Sequence, residues 1–203
     1  MSDHPTSNGP RTAWRQELPA LVGTSLTLRE PVSTDRHALT EVFLTAESVH
    51  FGLDGAVDDD SVARFIEQAA ADRIAGRAFT YATTLTRGGR LVGCLRVRGL
   101  DPFFENAECE ASLIPPVRGS GLFLEAAELV ATFLFGTLGS HRLESRVLLE
   151  NARANAALRK IGANQEGVLR RAWQRDGRYY DQVLWSLLRS DWQAHRPLGM
   201  QVH

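Results

Sequence analysis

The octapeptide Pro115-Pro116-Val117-Arg118-Gly119-Ser120-Gly121-Leu122 constrains this chain more than any other stretch. It joins a strand-like run, Ala107 to Ile114, to a long apolar helix, Leu122 to Leu138. Gly119 and Gly121 permit a sharp turn and a close backbone approach, because neither carries a Cβ. The helix that follows points its unpaired N–H groups and positive dipole end back into the turn. Strand, glycine turn and helix start together predict a cradle for an anion such as phosphate or pyrophosphate. The same segment also serves as a tight strand-to-helix loop with no ligand, so the rest of the chain has to decide.

Periodicity along the chain predicts one α/β sheet with helices on its faces. Leu26 and Leu28 alternate with Thr27 and Arg29 as in a half-buried strand, and Ser33-Thr34-Asp35 offers N-cap chemistry for a helix to about Ala46. Asp58-Asp59-Asp60 marks the start of a second helix rather than a metal site, with Val62, Phe65, Ile66 and Ala69 on one stripe. Two hairpins follow the turn signals Gly88-Gly89 and Asp176-Gly177, and Gly162 closes a short helix that opens at Asn151. The stretch Ser48 to Val57 reads as loop. The polar N-terminus reads as a flexible extension over residues 1–20, the domain as 21–192, and the end as a polar tail, Asp191 to His203 by composition and 193–203 as a domain boundary.

At 203 residues and a net charge of −1, the chain holds one sizeable core and lacks the basic excess that nucleic acid demands. No apolar run approaches the roughly 20 residues of a membrane helix. Cys94 and Cys109 lack an activating neighbour and read as small buried residues, and no His/Cys cluster has metal-ligand spacing. These features predict a cytoplasmic protein with no metal, no nucleic-acid partner and no membrane contact, as a monomer or homodimer.

From Leu26 to Trp192 the chain resembles the GCN5-related N-acetyltransferases (GNAT), and within them the RimJ/RimL-type branch. The resemblance is carried by Leu26-Thr27-Leu28-Arg29 with Asp35, Leu91-Val92-Gly93, Ala107-Glu108, and Arg118-Gly119-Ser120-Gly121 with Glu125-Ala126. It continues through His141-Arg142-Leu143-Glu144, Asn151, Leu158 to Ala163, Glu166 to Arg170, and Asp181 to Leu187. It implies a single-domain α/β fold whose mixed, mostly antiparallel sheet is splayed between its fourth and fifth strands, with helices on both faces and acetyl-CoA in the opening. Arg118, Gly119, Ser120, Gly121 and Leu122 would hold the pyrophosphate, and Asn151 and Asn155 would touch the pantetheine arm. Asn151 is also a natural helix N-cap that needs no ligand. Two positions depart from the family pattern. Pro116 stands where Gln or Arg is usual, and Ala154 where a serine often protonates the leaving thiolate.

Acetyl transfer requires a neutral amine, a polarised thioester carbonyl and a proton for the departing thiolate. Glu108 and Glu110 share one strand face, since side chains alternate with period two. They are the candidate bases, Glu108 leading because it matches the family's Ala-Glu position. A backbone N–H at Leu113 or Ile114, where the strand must splay, is the candidate carbonyl donor. Arg153, Arg159 and Lys160 can meet the ribose phosphate or simply form a solvated face, and Tyr179 and Tyr180 either protonate the leaving thiolate or, as an aromatic pair beside a hairpin, simply pack. The acceptor implied is a primary amine, either a protein N-terminus or a small molecule. The competing expectation keeps the fold without turnover, as a CoA-binding sensor.

Overall fold

A computed structural model of the chain describes residues 10–45, 51, 56–175 and 177–195. The alternation at the first predicted strand holds: Leu26 and Leu28 are fully buried, while Thr27 and Arg29 are half-buried. The strands are β1 (Leu21–Val22), β2 (Leu26–Arg29), β3 (Ala78–Leu85), β4 (Leu91–Gly99), β5 (Asn106–Leu113), β6 (Arg142–Leu148), β7 (Asn164–Arg175) and β8 (Arg178–Leu188). They form one sheet in the order β1-β2-β3-β4-β5-β6-β8-β7. Every neighbouring pair is antiparallel except β5 and β6, which are joined by a helical crossover. The short β1 shifts the strand count by one, so the parallel junction lies between the fifth and sixth strands rather than the fourth and fifth.

Helices α1 (Pro10–Ala13), α2 (Arg36–Phe43), α3 (Asp59–Ile74), α4 (Leu122–Ala131), α5 (Ala152–Lys160) and α6 (Arg189–His195) complete the fold. Asp58 caps α3, accepting from the Ser61 amide at 2.7 Å, which accounts for that acidic run as helix-start chemistry. The N-cap expected at Ser33-Thr34-Asp35 is instead a 3₁₀ turn. There Asp35 takes two 2.7 Å bonds from Arg29, tying α2 to β2. Past α4 the helix widens into a π-helical segment, Thr132–Leu138, whose Phe133 packs edge-on against Phe79 of β3. The loop read at Ser48 to Val57 lies mostly outside the described residues.

Both termini depart from the sequence reading. Within the supposed flexible extension, Trp14 and Leu18 are buried. The Trp14 ring packs edge-on against Phe79 and Phe104 at 5.4 and 5.3 Å, and its indole N–H donates to the Arg11 carbonyl at 3.0 Å. Arg73 donates to the Gln16 carbonyl and the Tyr81 hydroxyl to that of Pro19, binding the segment to α3 and β3. Likewise the start of the polar tail continues as α6, with Trp192 buried against Phe135 at 5.5 Å. A polar composition hid the aromatic anchor Trp14, whereas Trp192 lies within the expected domain bounds 21–192. Trp14→Ala is therefore expected to cost about 3 kcal/mol, the usual loss for a large buried aromatic. Urea denaturation measures this, and a change below about 0.5 kcal/mol, the size of a surface substitution, would return the segment to a loose extension.

Candidate active site

β5 and β6 lie side by side only where Asn106–Glu108 faces Arg142–Glu144. Beyond that, β5 stays with β4 as far as Leu113 and β6 stays with β8 as far as Leu148, so the two diverge and open a wedge. The Ile114 N–H donates to the Val92 carbonyl at 2.9 Å. Amides alternate in direction along a strand, so the Leu113 N–H points to the opposite edge, into the wedge. Of the two residues considered as carbonyl donors, Ile114 thus has its amide engaged by β4, whereas that of Leu113 faces the wedge.

The glycine turn closes one end of this wedge. Pro115–Val117 forms a 3₁₀ turn, after which Gly119 and Gly121 take φ of +85° and +92°, the left-handed region that glycine enters freely. A Cβ placed on either would meet no atom within 4 Å, so the space in front of both is open. The first bond within α4 runs from the Glu125 amide to the Gly121 carbonyl at 3.2 Å. The amides of Leu122, Phe123 and Leu124 consequently have no acceptor inside the helix. Arg118 folds back to donate to the Leu113 carbonyl at 2.8 Å, and the Ser120 hydroxyl is used within the turn, on the Val117 carbonyl.

In front of this turn lies a groove of about 440 Å³. Among the described residues, three cations line it, Arg118, Arg153 and Lys160, and no carboxylate does. Free helix amides, an open glycine turn and cationic walls fit a polyanionic ligand with a diphosphate. Arg159 is excluded from this set, since its guanidinium lies over the Trp185 ring at 5.5 Å. Asn155 does not line the groove either: its amide donates to the Leu148 and Asn151 carbonyls and its oxygen accepts from the Trp185 indole at 2.8 Å. Asn151 caps α5 by accepting from Ala154 N–H at 3.1 Å, yet it also lines the groove, so both readings of that residue hold geometrically.

A second cavity, of about 100 Å³, continues from the groove, sharing Ala111, Phe123, Asn151 and Ala154 with it. Glu110 lines it; Glu108 does not. Of the two candidate bases, Glu110 is thus the one placed at this cavity. Glu108 is 3 % exposed and held between two guanidiniums, hydrogen-bonded to Arg98 and ion-paired with Arg146 at 3.4 Å. It serves as the anchor of a charge cluster linking β4, β5 and β6. Glu110 stands opposite Arg96 in the ladder, but Arg96 reaches away to Asp72 on α3 at 2.8 Å and to the Phe51 carbonyl. That leaves Glu110 at the wedge, where burial, and then the charge of Glu108, push its carboxyl above the ordinary glutamate value. Such a group is poised to take up a proton.

The remaining sequence candidates fall away from the chemistry. Tyr180 packs on Trp173 at 5.4 Å and Tyr179 is exposed. Burial pushes the Cys109 thiol up to about 12 and raises that of Cys94 as well, so neither is a thiolate nucleophile. Among the described residues no group of three or more metal-binding side chains occurs, and no helix is long and apolar enough to cross a membrane. Sequence reading missed Phe123, Arg146, Trp173 and Gln182, all of which line the smaller cavity. Only Phe123, next to the glycine turn, carried a signal in its position.

Residues 25–164 match the model of the acetyltransferase (GNAT) domain. A curated relative, the uncharacterized N-acetyltransferase YoaA of Bacillus subtilis (strain 168), is 26% identical over 85% of this chain and 98% of its own length. Among solved structures, the ribosomal L7/L12 α-N-protein acetyltransferase RimL, in complex with coenzyme A, superimposes with a TM-score of 0.75. It has 18% identity, over 84% of this chain and 98% of that one. A chimera of the spermidine N-acetyltransferase SpeG of Vibrio cholerae and hSSAT gives a TM-score of 0.72 at 18% identity, covering 85% and 100%.

Proposed function

The chain belongs to the acetyltransferase (GNAT) family, and we propose that it moves an acetyl group from acetyl-CoA directly to a primary amine, with Glu110 as general base. The observation that carries this reading is the junction of an acid-free cationic groove with a small cavity holding an unpaired, raised carboxyl. In the groove, the amides of Leu122 to Leu124 and the turn at Gly119 to Gly121 hold the diphosphate, with Arg118, Arg153 and Lys160 supplying countercharge. Asn151 lies beside the pantetheine arm, which directs the thioester toward Ala111 and Leu113.

The amine enters the smaller cavity as an ammonium and Glu110 accepts one proton from it. A carboxyl raised toward the working pH is better matched to this transfer than an ordinary glutamate. The neutral nitrogen attacks the acetyl carbonyl, whose developing negative charge the Leu113 N–H stabilises. The nitrogen, cationic once bonded to carbon, gives up its second proton to water as the carbon–sulfur bond breaks, the thiolate takes up a proton, and the amide and coenzyme A leave. No hydroxyl stands at Ala154, so that last proton comes from elsewhere, with bulk water the simplest source. A protein N-terminus and a small amine are both chemically suited acceptors, and the RimL and SpeG likenesses give one example of each. Mass determination of the acyl-CoA that copurifies with the protein tests the donor. Coenzyme A or acetyl-CoA is expected; a long-chain acyl-CoA would overturn the assignment.

A further inference from the structure

The β7–β8 ladder contains an irregularity that bears on the smaller cavity. Leu169 pairs with Gln182 and Trp173 with Tyr180, so Arg170, Arg171 and Ala172 together oppose the single residue Asp181. In an unbroken ladder Arg171 would stand opposite Tyr180; the two extra residues put Trp173 there. Arg171 takes φ of +51°, which a non-glycine residue seldom adopts without something to hold it. The holder is Asp181, whose carboxylate accepts from the Arg171 N–H at 2.8 Å. Trp173 rests on the Tyr180 ring and, with Gln182, lines the same cavity as Glu110. Bulges of this kind re-aim a side chain next to a site.

We propose that the bulge is the acceptor-recognition device of this protein. Asp181 is a positioning residue that pins Arg171, and the pinned strand presents Trp173 as a specificity-determining wall for primary amines with a hydrocarbon stem beside the nitrogen. This rests on the reading of the smaller cavity as the acceptor end. The cavity, of about 100 Å³, admits the amine and only a few further atoms, so a stem beside the nitrogen lies against its wall, of which Trp173 is part.

The test uses two isosteric probes, n-butylamine and 2-methoxyethylamine, with thiol release from acetyl-CoA as readout. Trp173→Ala should raise KM for n-butylamine about tenfold, the worth of one aromatic contact. The rise for 2-methoxyethylamine should be smaller, while kcat and the KM for acetyl-CoA stay unchanged. Asp181→Ala should reproduce that pattern. Adding Arg171→Gly to it should restore n-butylamine KM, since glycine holds the left-handed conformation without a pin. Three results overturn the proposal while leaving the functional reading intact, provided Glu110→Gln still loses turnover. They are an unchanged n-butylamine KM in Trp173→Ala, equal losses for both probes, and no rescue by Arg171→Gly. A raised KM for acetyl-CoA in Trp173→Ala would make the smaller cavity part of the donor site. If the wild-type protein acetylates neither amine, the proposal falls, while the functional reading is decided by the wider panel of amines.

Discussion

Glu110→Gln is expected to lower turnover about 10²- to 10⁴-fold, the usual consequence of losing a general base. Glutamine keeps the shape of the cavity wall and removes only the ability to take the ammonium proton. Acetyl-CoA affinity should hardly change, because the groove is built from the glycine turn and α5 and contains no carboxylate. Raising the pH should partly rescue the variant by supplying amine that is already neutral. Stability gives an independent readout. The folded-state carboxyl titrates above its unfolded value, so as pH rises through that interval the unfolded chain loses its proton first and the fold loses stability. Glu110→Gln should therefore melt higher than wild type at neutral pH, with the gap closing below the ordinary glutamate range. Glu108→Gln should behave in the opposite way. It strips Arg98 and Arg146 of their shared partner and should cost roughly 1–3 kcal/mol, less than a fully buried pair because both arginines are partly exposed. Its effect on turnover should be the smaller of the two. A variant series in which Glu108→Gln alone abolishes turnover without loss of stability would exchange the two roles.

Gly121→Val and Gly119→Val are each expected to weaken acetyl-CoA binding at least about 100-fold, or near 2.7 kcal/mol. At φ of +92° and +85° a β-branched residue is strained in any surroundings. Relaxing that strain moves the turn whose amides face the diphosphate. The added methyl groups would also occupy the open space in front of the turn. Gly88→Val provides the matching control, since Gly88 has φ of +84° in the β3–β4 hairpin and likewise meets nothing within 4 Å. It should carry a similar conformational penalty in melting temperature and leave affinity alone. Calorimetry with acetyl-CoA on the three variants separates a lost cradle from a merely strained backbone. Equal, wild-type affinity in all three would remove the glycine turn from the binding site.

What the sequence disclosed was whatever one segment specifies by itself. The hairpins, the Asp58 cap, the glycine turn and the closing Gly162 depend on local dihedral and hydrogen-bonding chemistry, and each stands where its residues predicted. The placement of Trp14 did not follow, because a single aromatic in a polar stretch gains its burial from Phe79 and Phe104, far away in the chain. Glu108 and Glu110 show the same limit within the site. Period two put both on one face, but their roles were divided by partners on other strands. Arg98 and Arg146 claim Glu108, and Asp72 draws Arg96 away from Glu110. Asn155 looked equally available until Trp185 and the end of β6 took up its hydrogen bonds. Trp173 had no local signal at all, since its bulge contains no glycine and is held by a carboxylate on the opposite strand.

The central claim is that the cationic groove and the carboxyl-bearing cavity form one transferase site. Thiol release from acetyl-CoA, measured with the wild-type protein across a panel of primary amines alongside the mass of each amine, tests it most directly. The account predicts that free coenzyme A appears only when an amine is present, in a one-to-one ratio with an amine that has gained a single acetyl group. Tight acetyl-CoA binding with no thiol release above the uncatalysed rate, for every amine offered, would contradict it and identify the chain as a CoA-binding sensor.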